Sequence, residues 1–125
     1  DFGIFRAVQE AAITALSGPQ DHVTRLCEMY RKRRDAMVEG LNAIGWPVDR
    51  PNATFYIWAR IPHKYSALTS MEFAELLLDE AGVVVSPGTG FGEYGEGFIR
   101  FSLVTDVPRI QEAVRRIKKV LEMNA

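Results

Sequence analysis

The chain has one cysteine, Cys27, which excludes an internal disulfide and fits a reducing compartment. Histidine is nearly as scarce: His22 and His63 are the only two, and neither has a second histidine or cysteine at ligand spacing. No metal site is expected, and both histidines read as surface residues. Charge of one sign is missing as well. A formal net charge of -1 provides no footprint for nucleic acid or an acidic membrane surface. No apolar run approaches the roughly 20 residues that cross a bilayer, and no basic start precedes an apolar stretch. Internal repeats and low-complexity tracts are absent. The expected setting is cytoplasmic, with no nucleic-acid or membrane partner. The chain opens on DFGIFRAVQEAA without an initiating Met, from which we expect a piece of something longer.

With 47% hydrophobic and 25% charged residues over 125 positions, the sequence reads as one ordinary soluble domain with a core of its own. Phe5 to Leu16 has a helical, alanine-rich composition and stops at Ser17-Gly18-Pro19. Asp21 is expected to cap a long helix, with Val23, Leu26, Cys27, Tyr30, Met37, Leu41 and Ile44 on its apolar stripe; Gly45 ends it. Trp46 to Asp49 reads as a short extended piece, Pro51-Asn52 as a turn, Thr54 to Ile61 as a strand, and Pro62 to Leu68 as a polar loop.

Thr69 and Glu72 have the spacing of a capping box, with Phe73, Ala74, Leu77, Leu78 and Ala81 behind them on one face and Gly82 as the stop. Val83 to Val85 then reads as a buried strand and Phe98 to Leu103 as another. Thr105-Asp106, with Pro108 in the first turn, opens a last helix whose Ile110, Ala113, Val114, Ile117, Val120 and Leu121 face inward. The order is two helices, two strands, a helix, two strands and a helix. It predicts an α+β fold (an α/β sandwich): helices on one face of a small mixed or antiparallel sheet, the other face partly free.

The stretch VVVSPGTGFGEYGEGFIRFSL, Val83 to Leu103, is where function is expected. Five glycines, Gly88, Gly90, Gly92, Gly95 and Gly97, separate its two strands. They let the backbone turn sharply and approach a ligand closely. Side chains alternate along a strand, so Ile99, Phe101 and Leu103 read as core while Phe98, Arg100 and Ser102 face the other way. Arg100 is the single charge of that strand, and a guanidinium offers a fixed fork of donors to a carboxylate or phosphate. An arginine solvated on an open sheet face is the alternative reading.

Other patterns carry less. Gly90-Phe91-Gly92-Glu93-Tyr94-Gly95 spells a dinucleotide fingerprint but leads into a strand instead of opening a helix, so it is rejected. Asn52-Ala53-Thr54 fits a glycosylation acceptor in a chain with no mark of secretion. Cys27, on an apolar stripe, reads as packing, and Glu93 and Glu96 as solvated loop acids. Of the alternating pairs Phe55/Ile57 and Tyr56/Trp58, one is expected to line the core and the other a pocket or another domain.

Four segments carry a resemblance beyond these local readings: Ala53-Thr54-Phe55-Tyr56-Ile57-Trp58; Phe73-Ala74 with Leu77-Leu78; Ala81-Gly82-Val83-Val84-Val85-Ser86-Pro87-Gly88-Thr89-Gly90-Phe91-Gly92; and Gly95-Glu96-Gly97-Phe98-Ile99-Arg100-Phe101-Ser102-Leu103. In this order and spacing, nearly the whole chain resembles the C-terminal part of a class I/II aminotransferase, a pyridoxal-phosphate-dependent enzyme of fold type I. Within that class the wording is most similar to the LL-diaminopimelate aminotransferases, with aspartate- and alanine-type relatives sharing much of it.

The resemblance implies an amino group moving between an L-amino acid and a 2-oxo acid. At its finest it implies transfer between glutamate and tetrahydrodipicolinate in lysine biosynthesis. It assigns Arg100 to the substrate α-carboxylate and makes Phe91 an apolar neighbour of the substrate. It implies that residues 1–20 are the end of a large domain, 21–45 an inter-domain helix and 46–125 the small domain, in a homodimer. The family's cofactor-bonding lysine, the aspartate on the pyridine nitrogen and the phosphate donors lie upstream of this chain. Lys32, Lys64, Lys118 and Lys119 stand in none of those contexts. The piece alone is thus expected to have no catalytic residues, no cofactor-binding residues and no bound pyridoxal 5'-phosphate. A free-standing, non-catalytic small-ligand-binding module is the other reading kept.

Overall fold

The computed structural model describes residues 3–123. Helix α1 (Arg6–Ser17) is followed by the long α2 (Asp21–Ala43), strand β1 (Tyr56–Arg60), α3 (Ser70–Ala81), the two-residue strand β2 (Ser86–Pro87), β3 (Phe98–Ser102) and α4 (Val107–Met123). β3 is central in a three-stranded antiparallel sheet of order β1-β3-β2. Helices α2, α3 and α4 pack on one face, giving the expected α+β layer.

The core lies between that sheet face and the helices. Ile57 and Ala59 of β1 and Ile99 and Phe101 of β3 alternate inward, joined by Leu103 just beyond it. Opposite them lie Phe73 and Leu77 of α3, Met37, Val38 and Leu41 of α2, and Ile110, Val114, Ile117 and Val120 of α4. Each of these side chains other than Ala59 contributes roughly 1.5–3 kcal/mol relative to being left in water. Trp46 fills the centre. Its ring meets Phe73 and Phe101 edge-on, both at 5.6 Å, and its indole N–H donates to Arg60 O at 2.8 Å.

Local chemistry fixes the helix ends. Trp46 N donates to Leu41 O and Gly45 N to Asn42 O, with Gly45 at φ +83°, so α2 closes in the reciprocal pattern that only a left-handed residue permits. The capping box of α3 forms as predicted: Thr69 Oγ1 accepts from Glu72 N, and the Glu72 carboxylate accepts from Thr69 N at 2.8 Å. Asp106 Oδ1 accepts from Arg109 N at 3.0 Å and caps α4.

Several expectations are corrected. Gln20, not Asp21, is the residue before the first turn of α2, and Asp21 supplies an acidic side chain within that turn. Val83 to Val85 joins no ladder among the described residues, and the strand starts only at Ser86; Val83 and Val85 lean on the core while Val84 is 79% exposed. Trp46 to Asp49 pairs with no strand among the described residues, and Pro47 has no N–H to offer one. β1 is shorter than Thr54 to Ile61: Thr54 sits at φ +71°, which breaks an extended run, and after Ile61 N donates to Gly97 O, Pro62 has no N–H with which to carry the ladder on.

The stripe of α2 is buried only in its C-terminal half. A 23-residue helix is about 35 Å long, and its first turns project past the sheet. Val23, Leu26 and Cys27 are therefore exposed, so Cys27 is not the packing residue it was read as. Helix α1 contains no buried residue at all. Asp1 and Phe2, with which the presumed large-domain end begins, lie outside the described residues.

Candidate functional site

Arg100 projects from the middle of β3, on the sheet face the helices leave free. The register places Trp58 of β1 and Ser86 of β2 on either side of it, with Tyr56 on the diagonal. Its guanidinium carbon lies 4.0 Å from the Tyr56 ring centre and 4.2 Å from that of Phe91. Nη2 donates to Ser86 Oγ at 3.4 Å, and Nε is buried without a partner among the described residues. The guanidinium keeps N–H donors beyond the one given to Ser86, and a fork of this kind can take a planar anion in a two-point grip.

The two residues singled out from sequence are thus brought together. Phe91, half exposed, reaches Arg100 from the glycine loop, and its ring meets Trp58 edge-on at 5.7 Å; Trp58 in turn stacks on Phe98 at the same distance. The loop is fastened more firmly than its five glycines imply. Its two 3-10 turns, Gly88–Phe91 and Glu93–Gly95, cross so closely that a Cβ on Gly88 would sit 1.9 Å from Gly95 O. There the glycines serve close approach instead of mobility. Glu96, read as a solvated acid, anchors the far end: its Oε1 accepts from Ser70 N at 2.7 Å, in the first turn of α3 where the helix favours an anion. Ser70, fully buried, also bonds Thr89 Oγ1 at 3.0 Å.

Sequence reasoning missed Ser86, Ser70 and Glu96 as parts of this site. It left Tyr56 and Trp58 as one of two candidate pocket-lining pairs, and the strand pairing chooses them. Alternation plus antiparallel pairing was the signal that could have placed Tyr56 beside Arg100. Phe55, grouped by alternation with core residue Ile57, stays outside the core at 37% exposure, its ring 4.3 Å from Tyr56. Beyond it a groove of about 600 Å³, lined by Leu26, Cys27, Tyr30, Arg34 and Phe55, opens beside α2.

The lysines are elsewhere. The Lys64 ammonium donates to Leu121 O, Lys118 pairs with Glu122 at 3.5 Å, and Lys32 and Lys119 are exposed on α2 and α4, behind the opposite face of the sheet. Among the described residues no cluster of histidine, cysteine and carboxylate side chains could hold a metal, and no helix is long and apolar enough to cross a membrane.

Fold and site together define a helix-backed α+β domain that presents a half-buried arginine, flanked by two rings, from its open sheet face. Comparison with known proteins gives that class its family: residues 2–117 match the model for aminotransferase class I and II, and the chain belongs to that family. It is 54% identical over 121 residues to the LL-diaminopimelate aminotransferase of Desulforudis audaxviator, an alignment that covers 97% of this chain and 30% of the relative. It is 50% identical over 118 residues to the glutamate-pyruvate aminotransferase of Escherichia coli, covering 94% of this chain and 30% of that one. Among solved structures, the aromatic aminotransferase of Pyrococcus horikoshii superposes with a TM-score of 0.84 at 38% identity, over 93% of this chain and 31% of the other. The chain spans about 30% of the length of the curated relatives it matches.

Proposed function

We propose that this chain is the C-terminal small domain of a pyridoxal-phosphate-dependent aminotransferase, and that Arg100 holds the α-carboxylate of the substrate. One observation carries the reading: Arg100 is a half-buried cation on the open sheet face, and no carboxylate of the described residues pairs with it. Every amino acid and 2-oxo acid in a transamination brings that carboxylate, so one permanently charged, bidentate partner serves both directions. Holding it orients the α-carbon for reaction, with Phe91 as apolar neighbour. The lysine positions described above do not make a site for pyridoxal 5'-phosphate within this chain. Its share of the chemistry is to bind and orient.

In this reading α1 is the end of the large domain, α2 the connection between domains, and residues 46–125 the small domain, in a cytoplasmic homodimer. The unburied α1 and the exposed first half of α2 support that division, since their apolar side chains Ile13, Leu16, Val23 and Leu26 stay exposed. The D. audaxviator relative favours LL-diaminopimelate as an amino-acid substrate, and the resemblance adds glutamate as its partner and a role in lysine biosynthesis. The E. coli relative supports a second reading, an alanine-type enzyme; aspartate-type enzymes are a third.

The test uses the full-length protein. Loss of the bound cofactor's visible band with L-glutamate and LL-diaminopimelate, but not with L-aspartate or L-alanine, supports the first reading. Response to L-alanine instead moves the assignment to the second. Absence of any cofactor band overturns the enzyme and leaves a non-catalytic ligand-binding module. Arg100→Lys keeps the charge and loses the fork, and amino-acid binding is expected to weaken by about 1 to 3 kcal/mol. Unchanged affinity in that variant would remove Arg100 from the site.

A further inference from the structure

Other half-buried arginines of this chain are held by acceptors. Arg33 donates to Leu103 O at 3.1 Å with the Tyr30 ring farther off at 5.3 Å, while Arg34 donates to Pro51 O at 3.1 Å and pairs with Asp35 at 2.8 Å. Arg100 is held by rings. Tyr56 and Phe91 both lie within stacking distance of its guanidinium, its hydrogen bond to Ser86 Oγ is long at 3.4 Å, and Nε is buried and unpartnered among the described residues.

We propose that Tyr56 is a positioning residue for Arg100, fixing the plane of the guanidinium so that its edge donors meet an incoming carboxylate already aligned. The inference rests on the reading of Arg100 as the carboxylate grip and adds the residue that orients it. A carboxylate or carbonyl would also immobilise an arginine, but it would occupy N–H groups, and an acid would cancel the charge the substrate needs. A ring face attracts the cation through its quadrupole and consumes no donor. It also removes side-chain freedom before the ligand arrives, which lowers the ordering cost of binding.

Tyr56 is built to stay in place. It stands on β1, tied to β3 opposite Ser102, and the Phe55 ring lies against it at 4.3 Å. Phe91 covers the guanidinium from a loop, so the strand supplies the fixed wall and the loop the second one.

The same carboxylate enters with the amino acid and with the 2-oxo acid, so losing the wall weakens both alike. In the full-length protein, Tyr56→Leu is expected to raise KM for donor and acceptor together by about tenfold. The kcat is expected to stay within about threefold, since binding common to ground and transition states is what is lost. Tyr56→Phe, which keeps the ring, should remain within about twofold of the unaltered protein.

A trifluorinated phenylalanine at position 56 keeps the ring's shape and withdraws negative charge from its face. Affinity below that of Tyr56→Phe supports the proposal and equal affinity overturns it, an arm that stands even if Tyr56→Leu does not fold. If Arg100→Lys binds both substrates as the unaltered protein does, the reading of Arg100 fails and the positioning role with it. If Arg100→Lys weakens binding while Tyr56→Leu leaves both KM values unchanged, the positioning role alone is overturned.

Discussion

Replacing Gly88 by alanine would put a methyl group where backbone already is. Its Cβ would lie 1.9 Å from Gly95 O, 2.6 Å from Phe98 O and 2.9 Å from Gly95 C, against the 3.4 Å at which ordinary contact begins. All three neighbours are main-chain atoms, so no rotamer change relieves the clash. The two turns must separate by more than an ångström, and they are held together by the Ser70, Thr89 and Glu96 hydrogen bonds at one end and by β3 at the other. Overpacking of a well-filled site typically costs 1–3 kcal/mol, and a clash confined to backbone belongs at the upper end, about 3 kcal/mol.

For a domain of this size that is a fall in melting temperature of roughly 10–15 °C. Gly90→Ala is the internal control. It lies two residues away in the same loop, a Cβ there meets nothing within 4 Å, and its φ is not positive. Its cost is expected below about 0.5 kcal/mol. Thermal unfolding followed by circular dichroism separates the two. Equal melting temperatures for the variants would refute the argument that close approach, and not general loop flexibility, requires the glycine at 88.

Two further outcomes are expected. Thr54 is a β-branched residue at φ +71°, an arrangement L-residues rarely adopt; Thr54→Gly relieves about 1 kcal/mol of strain net of the added unfolded-state freedom, and a urea midpoint that falls instead of rising would show that the threonine side chain has another role. The backbone N–H of Thr69, and then its hydroxyl, hold the pKa of Glu72 below the ordinary glutamate value. A lowered folded-state pKa means the unfolded chain binds more protons, so this stabilisation is complete above about pH 4.3 and is lost as pH falls through the lowered value. Glu72→Ala should therefore flatten part of the acid-side decline in urea stability, and an unaltered pH profile would count against the capping carboxylate as its source.

The elements that local chemistry dictates were legible. The in-and-out alternation of Ile99, Arg100 and Phe101, the Thr69/Glu72 box, the stops at Gly45 and Gly82, and the apolar period of α4 all appear where the sequence placed them. Each depends on residues within a few positions of one another, and so does the choice of Arg100 as a lone charge on a strand. The segments behind the family resemblance also lie along most of the chain.

Contacts between distant segments decided the rest. Val83 to Val85 has every propensity for a strand but pairs with none among the described residues, whereas Ser86 and Pro87 meet β3. Cys27 has the right helical phase for the core, but α2 is longer than the layer it covers, so phase predicts burial only over the second half. Glu96 reads as a loop acid until α3 brings the Ser70 N–H to it.

By itself the sequence determined which stretches are helical, which face of β3 is buried and which cation stands alone on the other. Only the tertiary structure decided what surrounds that cation: Tyr56 lies 44 positions upstream in the chain and Phe91 nine, yet both rings rest on one guanidinium. Periodicity and capping act within a turn or two of backbone, while a side chain's environment is set by which surfaces of the chain close on one another.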